Sequence, residues 1–237
     1  MNFLEKIISI IYFIKELSMK KEVIVLFDLD GTLLNTNNLI IKSFKHTFKE
    51  VLSIEVSSEE LMQYFGETLE TTLERFDKQK IKEMVKTYRE FNFHNHDNLV
   101  EPFPMVKETL MILKEKGCKI GVVTSKSKKM CVKGLKLYDL FNFFDVVVSK
   151  EDTSQHKPSP APIIKALNDL QANPEAEVYY IGDSPFDIIS AREAGVIPVG
   201  VKWSVRLNDL KELNPLIVSS LIEVNDLIFD HKSKTAK

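Results

Sequence analysis

Short apolar runs alternate with helix-forming segments along most of the chain, and this alternation restricts the fold more than any other feature. Runs typical of buried strands are VIVLFD, KIGVVT, DVVVS, EVYYIGD and IPVGV, and LIVSS is a candidate sixth. Segments with apolar residues at helical spacing separate them. This order is typical of right-handed strand–helix–strand units, whose parallel sheet is covered by helices on both faces. We therefore predict an α/β fold with a Rossmann-like parallel sheet.

The alternation is interrupted between residues 36 and 97. Proline is absent there, Gly66 is the single glycine, and apolar residues recur at helical spacing. We therefore predict a helical cap at residues 36–97, inserted into a catalytic α/β core formed by residues 20–35 and 98–237. Residues 1–19 are predicted to be an N-terminal extension, because a second methionine lies just before the first core strand.

The charge balance excludes several classes of partner. The chain carries 32 basic and 34 acidic residues and a net charge of −2, whereas nucleic-acid binding needs clustered lysine and arginine. The apolar patch at residues 7–14 is too short to cross a bilayer. The two cysteines lack metal-ligand spacing. We predict a cytoplasmic protein that binds neither nucleic acid nor membrane; the sequence does not indicate its oligomeric state.

Polar residues follow the predicted strands at the points where the strands end. Asp28 and Asp30 follow the first strand, Thr124 and Ser125 the second, and Asp183 the fourth. In open parallel sheets, ligands bind at the carboxyl ends of the strands. The sequence therefore predicts that these side chains share one site.

The segment DLDGT places two carboxylates at one strand end, where they repel each other. A simple turn would suit the glycine, whereas a calcium-binding EF-hand loop is excluded because its twelfth position is Leu39 and not Glu. A Mg²⁺ ion would make the crowding favourable, since Mg²⁺ binds a few carboxylates and keeps waters that phosphate oxygens can replace. Asp28 would supply a carboxylate, Asp30 its backbone carbonyl, and Asp183 or Asp187 a distant carboxylate.

Four short segments resemble the signature segments of the haloacid dehalogenase superfamily, in its phosphatase branch, and occur in the same order. They are FDLDGTL, VVTSK, HKPSP and GDSPFD. The resemblance implies that Asp28 is a nucleophile forming an aspartyl-phosphate and that Asp30 is the acid and base. It also implies that Thr124 and Lys157 hold the phosphoryl group. Such a carboxylate nucleophile divides one hydrolysis into two easier steps.

The same resemblance implies the metal site and excludes one branch of the superfamily. Asp183 would be a metal ligand and Asp187 would support the site. The true dehalogenases have a tyrosine at the position of Asp30 and use no metal. The residues of this chain therefore favour phosphate chemistry over carbon–halogen cleavage.

The cap segment narrows the predicted substrate. Its position resembles the small helical cap of phosphoglycolate-phosphatase-like members, and YREFNFHNHD resembles the cap of pyrophosphatases in this superfamily. A cap that closes over the site restricts the substrate to small phosphorylated molecules. We expect pyrophosphate, with Ser125, Gly66 and Arg89 as further substrate-binding residues, and His94, His96, Lys126 and His156 as other candidate cations. The alternatives are 2-phosphoglycolate, a sugar-phosphate mutase reaction, and a non-catalytic phosphate-binding module.

Overall fold

A computed structural model describes residues 21–230, and the predicted N-terminal extension lies outside this range. The described strands are β1 (Val23–Phe27), β2 (Leu34–Asn35), β3 (Glu101–Pro102), β4 (Lys119–Val123), β5 (Val146–Val148), β6 (Glu177–Gly182), β7 (Ile197–Val201) and β8 (Leu216–Val218). Six of them form a parallel sheet in the order β5-β4-β1-β6-β7-β8. The predicted α/β fold with a parallel sheet is confirmed, and the candidate strand LIVSS contains β8.

Helices cover the sheet and fill the insertion. The helices of the described residues are α1 (Asn37–Leu52), α2 (Ser58–Met62), α3 (Leu69–Glu74), α4 (Ile81–Leu99), α5 (Val106–Glu115), α6 (Lys128–Leu137), α7 (Ala161–Asp169), α8 (Pro185–Glu193), α9 (Leu207–Glu212) and α10 (Glu223–Phe229). Two 3₁₀ turns occupy Phe141–Phe143 and Lys150–Asp152. Among residues 21–230, no helix combines the length and the apolar character that a membrane crossing requires.

Strand β1 lies at the centre of the sheet and joins two apolar layers. All five of its residues are buried, because β4 and β6 flank it on both edges. Val25 and Phe27 face the layer that includes side chains of α5, α6 and α10. Ile24 and Leu26 face the layer that includes α7 and α8. The carboxyl end of β1, where the two aspartates follow, is therefore fixed by packing on both sides.

Helices α1 to α4 have an apolar core of their own. It contains Phe44 and Phe48 of α1, Leu61 of α2, Leu73 of α3 and Met84 of α4. The short antiparallel ladder of β2 with β3 brings the two ends of the insertion together. Helix α4 continues to Leu99, beyond the predicted cap boundary at residue 97. The two chain connections between the helical insertion and the rest of the chain therefore lie side by side at the β2–β3 ladder.

Candidate active site

A cavity of about 550 Å³ lies between the carboxyl ends of the central strands and the helices of the insertion. It brings together side chains from segments that are far apart in the sequence. The predicted site residues that line it are Asp28, Asp30, Gly66, Arg89, Thr124, Ser125, Lys157 and Asp183. The remaining one, Asp187, is fully buried beneath the cavity. The floor of the cavity is thus formed by the core, and its roof by α1, α3 and α4 with the Gly66 turn.

Lys157 forms ion pairs with two buried carboxylates at the floor of the cavity. Its Nζ lies 2.8 Å from Oδ1 of Asp28 and 2.6 Å from Oδ1 of Asp187, and its side chain is 2% exposed. Burial disfavours the ammonium charge, but the carboxylates of Asp187 and Asp28 hold the pKa of Lys157 well above its usual value. Lys157 is therefore a fixed positive charge beside one oxygen of Asp28.

Asp187 has its two carboxylate oxygens already bonded. Oδ1 accepts from Lys157, and Oδ2 accepts from the backbone N of Ser184 at 2.9 Å and from its hydroxyl at 2.6 Å. The Ser184 hydroxyl in turn accepts from the Asp187 amide, so the two residues form a capping box at the start of α8. This arrangement supports a role for Asp187 in orienting Lys157.

Tyr180 completes this network and was missed by sequence reasoning. Its hydroxyl donates to the Val123 carbonyl at 2.9 Å and accepts from Lys157 at 3.2 Å. The available signal was the pair of tyrosines, Tyr179 and Tyr180, in the buried part of β6, because a buried phenol needs a hydrogen-bond partner. The Tyr180 side chain therefore connects the Lys157 ammonium group to the sheet.

Asp183 is a buried carboxylate, and hydrogen bonds from the described residues compensate little of the cost of burying it. The Thr32 hydroxyl donates to its Oδ1 at the long distance of 3.5 Å, and the residue is 5% exposed. Burial, followed by repulsion from Asp187 and Asp28, raises the pKa of Asp183 well above its usual value. Carboxylate oxygens of Asp28, Asp183 and Asp187 lie within 4.8 Å of one another. Such clustered oxygens are the ligands of a hard divalent cation, and the residues fit one.

The carboxylate of Asp30 is not part of this cluster. Its Oδ1 lies 2.7 Å from Nζ of Lys126, in a pair that is mostly shielded from solvent. Lys126 follows β4 and was only one of several candidate cations in the sequence. Its backbone N also donates to the Thr124 hydroxyl at 3.2 Å. The loop after β4 therefore supplies Thr124, a predicted phosphate-binding residue. Through Lys126, it also positions the carboxylate of Asp30, which is expected to act as acid and base.

The Gly66 turn of the cap contacts the core directly. The Ser125 hydroxyl donates to the Gly66 carbonyl at 3.1 Å, so in this structure it bonds the cap. Gly66 has φ +100°, and a Cβ there would lie 2.6 Å from the Ser184 hydroxyl. Glycine is required at this position both for its backbone conformation and for the close approach.

Arg89 reaches the cavity wall from α4 but is paired with another cap residue. Its Nη2 lies 2.9 Å from Oε1 of Glu70, while Nζ of Lys150 from the core contacts Oε2 of the same carboxylate. Glu70 therefore links the cap to the core. Of the candidate histidines, His94 lines the cavity, whereas His96 is fully buried and bonded to Asp97.

The turn that follows Asp30 leaves space for the Asp183 carboxylate. Gly31 has φ +81°, and a Cβ there would lie only 2.2 Å from Oδ2 of Asp183. The indole of Trp203 donates to the Gly31 carbonyl at 3.0 Å and holds the turn in place.

We expect Gly31→Ala to lower kcat/KM about 10²-fold, because the methyl group displaces the Asp183 carboxylate by a distance that misaligns the site. Gly117→Ala is the matched control, since Gly117 has a similar φ of +80° but open space around the added methyl group. Both variants suffer the same backbone strain, so equal kcat/KM values for the two would contradict the expected clash. Steady-state kinetics at several concentrations of the divalent metal measures the difference in kcat/KM between the two variants.

Comparisons with known proteins agree with this geometry. Residues 25–201 match the family described as haloacid dehalogenase-like hydrolase. A protein of Caldanaerobacter subterraneus subsp. tengcongensis, provisionally named pyrophosphatase PpaX, is 52% identical over 181 residues, covering 76% of this chain and 82% of that protein. Pyrophosphatase PpaX of Bacillus mycoides is 45% identical over 182 residues, covering 77% and 84%. A predicted phosphoglycolate phosphatase from Haemophilus somnus has a crystal structure with 25% identity and a TM-score of 0.76, covering 89% of this chain and 99% of that chain.

Proposed function

The chain belongs to the haloacid dehalogenase-like hydrolase family, and we propose that it hydrolyses inorganic pyrophosphate with Mg²⁺ through an aspartyl-phosphate on Asp28. The observation that carries the chemistry is the buried Asp28 beside Lys157 at the floor of the cavity. The substrate rests on the relatives named pyrophosphatase PpaX, with which this chain shares most of its length. A cytoplasmic location is part of the same proposal.

The first step uses Asp28 as the nucleophile. One carboxylate oxygen of Asp28 attacks a phosphorus atom of pyrophosphate, and the bond from that phosphorus to the bridging oxygen breaks. Inorganic phosphate leaves with the bonding electrons, and Asp30 can donate a proton to it. Lys157 and Thr124 stabilise negative charge on the transferring group, because both line the cavity beside Asp28.

The second step returns the protein to its starting state. A water molecule attacks the phosphorus of the aspartyl-phosphate while Asp30 takes one of its protons. The bond between phosphorus and the Asp28 oxygen breaks, and a second inorganic phosphate is released. Asp30 thus acts first as an acid and then as a base, and the cap excludes further water.

Asp28 and Asp183 would hold the Mg²⁺ ion, together with the backbone carbonyl of Asp30. When bound, the ion neutralises the clustered carboxylates and polarises the phosphoryl oxygens. We propose Asp187 as a supporting residue and not as a ligand, because both of its oxygens are bonded. Its place within the carboxylate cluster is explained by its contact with Lys157.

Metal binding should stabilise the protein more at pH 8 than at pH 6. Burial raises the pKa of Asp28 to about 7 and also raises that of Asp183. An unfolded carboxyl ionises near pH 4, so without metal the stability from these groups is lost as pH rises through their folded pKa values. A divalent cation reverses this loss. Thermal unfolding with EDTA and with Mg²⁺ at both pH values tests the prediction, and equal Mg²⁺ shifts would contradict it.

The substrate is tested by comparing kcat/KM on pyrophosphate, 2-phosphoglycolate and a generic aryl phosphate, each with Mg²⁺ and with EDTA. We expect metal-dependent hydrolysis with pyrophosphate preferred. A preference for 2-phosphoglycolate would overturn the substrate assignment while leaving the chemistry intact. No metal-dependent hydrolysis of any of the three would favour the non-catalytic phosphate-binding module.

A further inference from the structure

A polar cluster in the cap faces the cavity and has no part in the chemistry described above. It consists of Tyr88 and Asn92, one turn apart on α4, and of Ser43 on α1. Tyr88 and Asn92 line the same cavity as Asp28 and Asp30. Asn92 and Ser43 are buried, although the cap around them is packed with apolar side chains. Buried polar groups in an apolar unit need a reason.

The bonds within the cluster direct the Tyr88 hydroxyl. Ser43 donates its hydroxyl hydrogen to the Leu39 carbonyl at 2.7 Å, and the Asn92 amide donates to the Ser43 oxygen at 3.2 Å. The Tyr88 hydroxyl interacts with the side chains of both Asn92 and Ser43. The Ser43 hydrogen is already used, and the Asn92 amide can supply a second hydrogen to the phenol oxygen. Because the Ser43 hydrogen goes to the Leu39 carbonyl, the phenol hydrogen is directed to the Ser43 oxygen in the free protein, and rotation about the phenol C–O bond redirects it to an acceptor in the cavity.

Packing and electrostatics keep this donor fixed and neutral. The ring of Tyr88 lies 4.8 Å from that of Phe44, which belongs to the apolar core of the cap. Burial, followed by repulsion from the nearby Asp30 carboxylate, raises the pKa of the Tyr88 phenol. The phenol therefore keeps its hydrogen at the pH of the reaction, and it lines the same cavity as Asp30.

We propose that the Tyr88 hydroxyl donates to a non-bridging oxygen of the leaving phosphate and selects substrates whose leaving group carries such an oxygen. This inference rests on the proposed pyrophosphatase function. Asp28 binds the transferred phosphoryl group from the core side, so the leaving group must extend toward the cap. Asp30 donates a proton to the bridging oxygen. Tyr88, on the cap wall of the same cavity, is placed to bind the oxygens beyond it. Asn92 and Ser43 act as positioning residues for Tyr88.

The test is Tyr88→Phe, assayed on pyrophosphate and on a generic aryl phosphate, whose leaving group has no phosphate oxygens. A hydrogen bond to a charged acceptor predicts a loss of roughly 10- to 100-fold in kcat/KM on pyrophosphate. The value on the aryl phosphate should stay within about twofold of wild type. Ser43→Ala should also lower the ratio of kcat/KM on pyrophosphate to kcat/KM on the aryl phosphate, but by a smaller factor. It disturbs the orientation of the Tyr88 hydroxyl and leaves the phenol present.

The matched control is Tyr64→Phe, which removes a hydroxyl from another tyrosine that lines the cavity and should leave the ratio unchanged. Equal losses on both substrates in Tyr88→Phe would show a structural role and overturn the proposal, as would no loss on either. If the wild type hydrolyses the aryl phosphate but not pyrophosphate, the proposed function fails. The proposed role of Tyr88 is then tested by inhibition of aryl phosphate hydrolysis with pyrophosphate. A Ki for pyrophosphate that is raised by Tyr88→Phe supports this role, and an unchanged Ki refutes it.

Discussion

Asp28→Asn is expected to abolish pyrophosphate hydrolysis, lowering kcat by about 10⁴-fold or more. An amide at this position is a far weaker nucleophile than a carboxylate. The other carboxylate that pairs with Lys157, Asp187, has both oxygens bonded and cannot take over the attack. The aspartyl-phosphate should also disappear. Mass spectrometry of acid-quenched wild-type reactions should find a phosphoryl adduct on the peptide that contains Asp28, and the variant should lack it.

The same substitution should make the metal-free protein more stable at pH 8. Burial raises the pKa of Asp28 to about 7, so at pH 8 the folded protein holds an ionised carboxylate in an unfavourable environment. Replacing it with an amide removes the cost of burying the charge and the repulsion from Asp187 and Asp30. We expect this gain to exceed the loss of the contact with Lys157, because Lys157 still pairs with Asp187. Urea unfolding in EDTA measures the change.

Asp169→Asn is the matched control for both effects. It makes the same chemical change at an exposed residue that pairs with Lys165 on α7. We expect neither its activity nor its stability to differ appreciably from wild type. Turnover by Asp28→Asn within roughly tenfold of the control would show that Asp28 is not the nucleophile.

Lys157→Met is expected to damage both catalysis and stability. The ammonium group is a donor beside the transferring phosphoryl group, and the loss of one such donor costs about 10²- to 10³-fold in kcat. Removing one partner of a buried ion pair costs about 3–5 kcal/mol of unfolding free energy. Here the loss leaves Asp28 and Asp187 without their shared cation. Chemical denaturation and steady-state kinetics measure the two effects.

Metal binding distinguishes the two roles of Lys157. Without the ammonium group, the carboxylate cluster is more negative, so we expect Mg²⁺ to raise the melting temperature of Lys157→Met more than that of wild type. Lys165→Met removes a lysine from an exposed pair with Asp169 and should behave as wild type. If Lys157→Met does not fold, Lys157→Arg retains the charge and tests the kinetic effect alone. Full activity in Lys157→Met would exclude Lys157 from the phosphoryl site.

Much of the core could be predicted from the sequence because its geometry follows from local patterns. The all-buried run of β1 required a central strand, and parallel strands end at one edge of the sheet. Asp28, Thr124 and Asp183, each directly after a strand, had to meet there. Lys157 lies on a longer loop, and only its resemblance to a known segment indicated that it joins them.

The cap was less predictable, although its helical character was correct. Helical spacing predicts that α1 to α4 form and bury one side, but it does not fix how the packed unit sits on the core. The contacts of the Gly66 turn with Ser125 and of Glu70 with Lys150 depend on that placement. The predicted roles of Gly66 and Arg89 in binding the substrate therefore stay predictions.

The sequence by itself determined the class of the fold, the position of the insertion and the residues that share the strand ends, because strand alternation and chain order constrain all of these. Only the tertiary structure decided which partner each side chain contacts. Lys126 reaches Asp30, Tyr180 supports Lys157, and Trp203 holds the Gly31 turn. These pairs come from segments far apart in the chain. Their contacts depend on loop paths and side-chain packing, which are set by the whole folded core and not by any local pattern.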